Sequence, residues 1–160
     1  MKRISLSRGK FALVDNINYE YLNQWKWYYN NGYAARDQRN LITKKDTRIY
    51  MHRIIMKAKK SENIDHVNHN GIDNQKRNLR KSTHEQNMHN MKSNKNSTSQ
   101  YKGVCWAKNN KKWKVQINYN NKHIYLGYYT NEKVAAKVYD KAAIKLHKEF
   151  AYLNFPQRKN

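Results

Sequence analysis

The chain has 160 residues and a mass of 19.3 kDa, room for one medium domain or two small ones. Its 33 Lys and Arg against 11 Asp and Glu give a net charge of +22 and a pI near 10.1, which favours a polyanionic partner such as nucleic acid or an anionic membrane surface. Apolar residues make up 38%, enough for modest cores; no apolar run approaches a bilayer span, no signal-peptide core follows the N-terminus, and the single Cys105 excludes an internal disulfide framework and a Cys-rich zinc site. A reducing cytoplasm is the expected setting. Abundant Lys, Asn, Ile and Tyr are what an AT-rich genome produces, but codon bias does not explain the scarcity of Glu. Both halves are basic, with 20 basic and 8 acidic residues before Gln100 and 13 and 3 from there on.

In chain order, Ile4, Leu6, Phe11, Leu13 and Val14 predict short strands around a turn at Gly9. The aromatics from Tyr19 to Tyr33 read as the packing of a small N-terminal layer. Arg48–Met51 is strand-like, and His52–Ala58 either continues it or turns into a short helix; so few residues do not decide by periodicity. Ile64–Val67 follows as a strand end, then a turn-rich stretch from Asn68 to Asn78 containing Asn70-Gly71 and Asp73-Asn74. A helix begins after Ser82 or Thr83, each with Glu85 or Gln86 three residues beyond, as a capping box requires.

The stretch from about Asn90 to Gln100 lacks apolar periodicity and reads as a solvated linker. Downstream the period changes. Gly103–Ala107 forms one run, Trp113, Val115 and Ile117 alternate with polar residues in a second, and Ile124 and Leu126 continue the alternation after Asn120-Asn121. Asn131 to Lys148 reads as a helix capped by Thr130 or Asn131, with Val134, Val138 and Ala142, and with Ala135, Tyr139 and Leu146, as its apolar stripe. Three antiparallel strands with one helix on the apolar face leave the polar sheet face free. No internal repeat is present.

Chemistry concentrates in Asp65-His66, Asn78 and Asn87. Asp65 offers a hard, charged oxygen of the kind Mg2+ prefers, and Asn87 a neutral amide oxygen. His66, with an ordinary pKa near 6.5, is a general base at physiological pH. The oxygen of Asn78 is placed to fix its tautomer. Strand neighbours point to opposite faces, so Asp65 and His66 serve one phosphate only at a strand end or bulge. His66-x-x-His69 and His84-x4-His89 leave a zinc reading open, although ligands drawn from turns are weak evidence. His52 reads as a packing residue beneath the site.

These residues, with His52-Arg53, Asp65-His66-Val67-Asn68-His69-Asn70-Gly71, Asp73-Asn74, Asn78-Leu79-Arg80 and Asn87, resemble the HNH endonucleases of phage and intron-homing type over about residues 45–92. The resemblance implies a ββα-metal fold, Asp65 and Asn87 as ligands of one Mg2+ (or Mn2+) per site, His66 as the base activating water, and Asn78 as its orienting partner. The family often has a histidine where Asn87 stands; His89, about 200° around a helix from it, is the second candidate. The implied reaction is hydrolysis of a DNA phosphodiester to 5′-phosphate and 3′-hydroxyl ends.

The run Tyr101-Lys102-Gly103-Val104, Lys112 to Ile117, Ile124 to Gly127, Ala135 to Ala143 and the closing Leu153-Asn154-Phe155-Pro156 resembles the AP2 DNA-binding domain. That family lays a three-stranded sheet in the major groove. The matching contact positions are Lys102, Gln116, Asn118, His123 and Tyr125, with Lys114 on the same polar face. Cys105 and Ala107 stand where plant members carry base-reading arginines, so a sequence preference does not carry over.

The expected fold class is therefore α+β. A β-rich N-terminal region and HNH module fill residues 1–92, a linker 93–100, and an AP2-like sheet packed on one helix 101–156. The expected protein is a cytoplasmic, metal-dependent endonuclease acting on double-stranded DNA inside the bacterial host of a phage or mobile element. No membrane or protein partner is implied, and a monomer is expected. The alternatives are a catalytically inactive, regulatory DNA-binding protein and an RNA-binding protein; the second leaves the Asp65-His66 spacing unexplained.

Overall fold

In the computed structural model, which describes residues 1–93 and 97–156, the chain divides between Asn87 and Met88 into two units. The architecture is α+β throughout. In the first unit, β1 (Lys2–Ser5) and β2 (Phe11–Val14) pair antiparallel around Arg8 and Gly9, whose φ angles of 61° and 63° make the turn. Their inward residues Ile4, Ala12 and Val14 meet Leu22, Trp27 and Met51 in one core.

Leu22 belongs to α1 (Asn16–Asn23), a helix inside the aromatic stretch that periodicity did not reveal. Only Leu22 is buried on it, while Ile17 and Tyr21 face solvent, so no apolar stripe marks the sequence. The Leu22 carbonyl accepts the Trp27 indole N–H at 2.8 Å, so a large ring is buried with its polar tip satisfied.

A three-stranded antiparallel sheet follows, formed by β3 (Tyr28–Asn30), β4 (Tyr33–Arg39) and β5 (Asp46–Tyr50) in that order. Asn31 and Gly32, with φ of 45° and 96°, close the first hairpin in the left-handed conformations a two-residue turn requires. After β5 the chain turns into α2 (Met51–Ile55), which decides between the two readings of 52–58. Next, β6 (Asn63–His66) pairs antiparallel with β7 (Leu79–Ser82), and α3 (His84–Asn90) begins one residue later. Thr83 and Gln86 form a reciprocal capping box: the Gln86 side-chain oxygen accepts from Thr83 N–H at 2.8 Å, and Thr83 Oγ1 accepts from Gln86 N–H at 3.1 Å.

In the second unit, β8 (Val104–Ala107), β9 (Lys112–Tyr119) and β10 (Lys122–Tyr129) form an antiparallel sheet in the order β10-β9-β8. α4 (Glu132–His147) packs on its apolar face, with Asn131 Oδ1 capping the Val134 N–H at 3.1 Å. The buried stripe of α4 keeps Ala135 and Tyr139 of the expected one, with Ala142 and Leu146 partly buried against the same core. Ala135, Ala136, Tyr139 and Ala143 are buried, whereas Val134 is 48% exposed. Three alanines let the helix lie close to the sheet, and Tyr139 fills the space beside Gly103. A Cβ on Gly103 would stand 2.0 Å from the Tyr139 ring, and its φ is +76°, so only glycine fits there.

Asp140, also on the buried side of α4, is a clamp rather than a flaw. Its oxygens accept from the backbone N–H of Asn154 and of Phe155, each at 2.8 Å, and from Asn154 Nδ2 at 3.1 Å. Asn154 in turn accepts from Lys102 N–H at 2.7 Å. The closing Leu-Asn-Phe-Pro thus ties helix to sheet. The expected linker needs revision at its end, because Ser99 is buried and donates to Glu132 at 2.7 Å; residues 94–96 lie outside the described ones. Among the described residues no helix is long and apolar enough to cross a membrane.

Replacing Asp140 by Ala leaves three donors without their charged acceptor, so the second unit should lose about 3 kcal/mol. Urea unfolding of the variant, followed through signals of that unit, measures this loss.

Candidate active site and nucleic-acid interface

The β6–β7 hairpin carries the first-named residues. Asp65 lies opposite Arg80 and His66 opposite Leu79, so the carboxylate and the imidazole leave the strand on opposite faces at its very end. Both are 5% exposed. Asp65 Oδ2 accepts from Arg80 Nε at 2.8 Å and from Nη2 at 2.7 Å, a two-point hold that fixes the carboxylate.

The loop between the strands is cross-linked by its own amides. Asn78 Oδ1 accepts from Asn68 N–H at 3.0 Å, while its Nδ2 donates to Asn68 Oδ1 at 2.9 Å and to the Asp73 carbonyl at 2.8 Å. Asn68 Nδ2 donates to Asp73 Oδ2 at 2.7 Å. Asn78 therefore shapes the loop, and the expectation that it orients the His66 ring is revised. The amide at that ring is Asn74, whose Oδ1 lies 3.3 Å from His66 Nε2. Asn74 stands in the Asp73-Asn74 pair of the motif, but its residue type and spacing gave no sign of this contact.

Around His66 the walls are aromatic. The His52 ring meets it edge-on at 5.1 Å, and Tyr33 lies 5.7 Å from His66 and 5.5 Å from His52. Tyr50 stacks on His52 at 5.6 Å. Tyr33 is 41% exposed and so faces both solvent and the imidazole. Its place depends on Gly71, where a Cβ would stand 2.6 Å from the Tyr33 ring and 2.5 Å from the Gly32 carbonyl oxygen. Burial holds the His66 pKa below its ordinary value, against the upward pull of the Asn74 contact and of the Asp65 and Asp73 charges. Burial pushes His52 further, down to about 3, helped by His66 and Arg53.

Asn87 stands on α3, half-buried, its backbone N–H bonded to the Thr83 carbonyl at 3.0 Å. The structure thus brings Asp65, His66 and Asn78 into one hairpin and sets Asn87 on the helix that leaves it. The second candidate, His89, is stacked on His147 at 3.6 Å within the second unit. Among the described residues no three His, Cys, Asp or Glu side chains form a metal cluster. The donors at hand, a carboxylate and a carboxamide oxygen, fit a hard divalent ion that keeps most of its waters, and a carboxylate held by a second partner is the usual form of such a ligand.

In the second unit, Lys114, Gln116 and Asn118 of β9 stand opposite Tyr128, Tyr125 and His123 of β10 on the sheet face away from α4. The bulge between Tyr125 and Gly127 brings Tyr128 onto this face. His123 Nδ1 meets Asn118 Oδ1 at 2.6 Å, and the Tyr125 and Tyr128 rings pack edge-on at 5.4 Å. Cys105 lies opposite Lys114. Lys102 departs from expectation. Its Nζ donates to the carbonyls of His89 and Met91, each at 2.6 Å, and of Met88 at 3.2 Å, and burial holds its pKa down to about 8. That ammonium, on a half-buried side chain, caps the end of α3.

Because His52 is held neutral in the fold, the unfolded chain takes up its proton first as pH drops from about 6.5 towards 3, and stability falls across that window. Between pH 7 and pH 5 the decrement should be about 2 kcal/mol. Urea midpoints at the two pH values should show it, and His52→Gln should remove most of it.

Over 154 residues the chain is 30% identical to an uncharacterized HNH endonuclease of Acanthamoeba polyphaga mimivirus, a match spanning 93% of this chain and 78% of that protein. No family model matches the chain, and no solved structure does.

Proposed function

The chain belongs to the HNH endonuclease family, and on that premise we propose that it cuts double-stranded DNA, with His66 as the general base, Asp65 and Asn87 holding one divalent ion, and the sheet of the second unit as an AP2-like groove-binding surface. HNH nucleases act on DNA and generally use a divalent metal. The observation that supports the reading is a buried His66 at the end of β6, next in the chain to a buried carboxylate that Arg80 fixes.

His66 takes a proton from water as that water attacks phosphorus in line with the departing 3′ oxygen. Arg80 keeps the Asp65 carboxylate aligned. Asn78 keeps the loop that follows His66 closed on itself. A divalent ion held by Asp65 and Asn87, Mg2+ by the donor chemistry, would supply charge neutralisation of the phosphate when bound. On the second unit, Gln116, Asn118, His123 and Tyr125 offer donors, acceptors and an aromatic face to base edges, and Lys114 a cation to phosphate. Tethering two weak DNA contacts on one chain raises the effective concentration of each.

A plasmid assay with Mg2+, with and without chelator, tests the reading. His66→Ala should lose cleavage by a factor of about 10²–10⁴ while affinity for DNA stays as in the parent. Metal-independent binding with no cleavage would instead identify a DNA-binding protein with an inactive site. Lys114→Ala should weaken binding for all sequences alike and lower the salt slope by about 1. Gln116→Ala should relax preference at the position it reads. Equilibrium binding at several salt concentrations separates the two.

A further inference from the structure

We propose that Asn74 is the residue that positions His66, its carboxamide oxygen accepting from Nε2–H and leaving the lone pair on Nδ1 as the atom that receives the proton. This rests on the general-base reading of His66 given above and adds the atom and the residue that selects it.

Asn74 is 0% exposed, among the most buried side chains of the chain. Its Oδ1 is 3.3 Å from His66 Nε2. An amide oxygen only accepts, so the ring nitrogen facing it carries the hydrogen, and in a neutral imidazole the other nitrogen is then the base. Asn78 is occupied elsewhere, with its oxygen on the Asn68 N–H and its nitrogen shared between Asn68 Oδ1 and the Asp73 carbonyl.

Asn74 is held independently of the histidine. Its N–H donates to the Leu13 carbonyl at 2.8 Å, and Leu13 N–H donates to the Ile72 carbonyl at 2.8 Å, so Leu13 and Asp73 pair as a short parallel bridge. Asp15 Oδ2 accepts from Lys76 N–H at 2.8 Å and fixes the other end of the segment. Strand β2 is anchored by Val14 and Ala12, both 0% exposed. The N-terminal hairpin thus acts as a strap that presents one amide to the imidazole.

The cost of the arrangement argues for a role beyond packing. Asn74 Nδ2 is buried without a hydrogen-bond partner among the described residues. An apolar residue of similar volume would avoid that penalty. What the asparagine supplies and a leucine would not is the oxygen at Nε2.

The test is imidazole nitrogen-15 NMR on the full chain, metal-free, at a pH where His66 is neutral, followed by steady-state cleavage. The wild-type His66 ring should show the Nε2–H tautomer. Asn74→Ala should shift it towards Nδ1–H and lower kcat about 10–100-fold with KM for DNA unchanged. Asn74→Asp, which retains an acceptor oxygen, should restore both readouts to within a few-fold of the parent. A wild-type ring in the Nδ1–H form overturns the assignment, as does an Asn74→Ala protein that keeps both the tautomer and kcat. Should Asn74→Ala fail to fold, the wild-type tautomer and the Asn74→Asp kinetics still decide. If the wild-type chain does not cut DNA at all, the general-base reading fails, whereas the tautomer spectra still judge the Asn74 contact.

Discussion

Withholding water from one imidazole is the constraint around which the first unit is organised. An exposed histidine near pH 7 is partly protonated and useless as a base for part of the time. In the proposed role His66 avoids this, because burial against Tyr33 and His52 disfavours the charged form. The remaining architecture follows from that demand. The Asn31-Gly32 hairpin delivers Tyr33, Gly71 leaves space for its ring, α2 delivers His52, and the β1–β2 hairpin braces the segment that carries Asn74. A small unit with a modest core spends much of its order on one face of one short hairpin.

The second unit meets a different demand, a flat polar surface on a stiff support. Alanines on α4 bring the helix close to the sheet, Tyr139 packs where Gly103 has no side chain, and Asp140 draws the closing segment against the helix. The price in buried polarity is offset by three hydrogen bonds to one carboxylate. The opposite face is then free to carry Lys114, Gln116, Asn118, His123, Tyr125 and Tyr128 in register. Lys102 shows that a lysine in a chain of net charge +22 is not thereby a phosphate contact, since carbonyl groups claim its ammonium.

What could be read from sequence tracks the physics of each signal. Period-2 alternation marks β9 and β10 because one face is buried and the other wet, and the Thr83–Gln86 box marks α3 because the cap is local chemistry. Helix α1 left no such trace, since one buried leucine makes no stripe. The β3–β4 hairpin did leave a trace in Asn31-Gly32, but the surrounding aromatics obscured the alternation. Asp65 and His66 stood out as residue types, whereas the choice of Asn74 over Asn78 at the ring depends on a bridge to β2 some sixty positions earlier, and local spacing carries no information about that contact. On α4 the expected Ala135 and Tyr139 are buried, while Val134 is exposed and Ala136 and Ala143 take the sheet side, because small side chains let the helix lie close.

The proposed site has Asp65 of β6 and Asn87 of α3 holding one hard divalent ion at the strand end that carries the buried His66. Titration of the full chain with substoichiometric Mn2+, read by paramagnetic broadening of backbone amide signals, tests it most directly. Early, selective broadening is expected at Asp65, His66 and Asn87, and its loss in Asp65→Ala. Broadening centred elsewhere, or unchanged by that substitution, would contradict it.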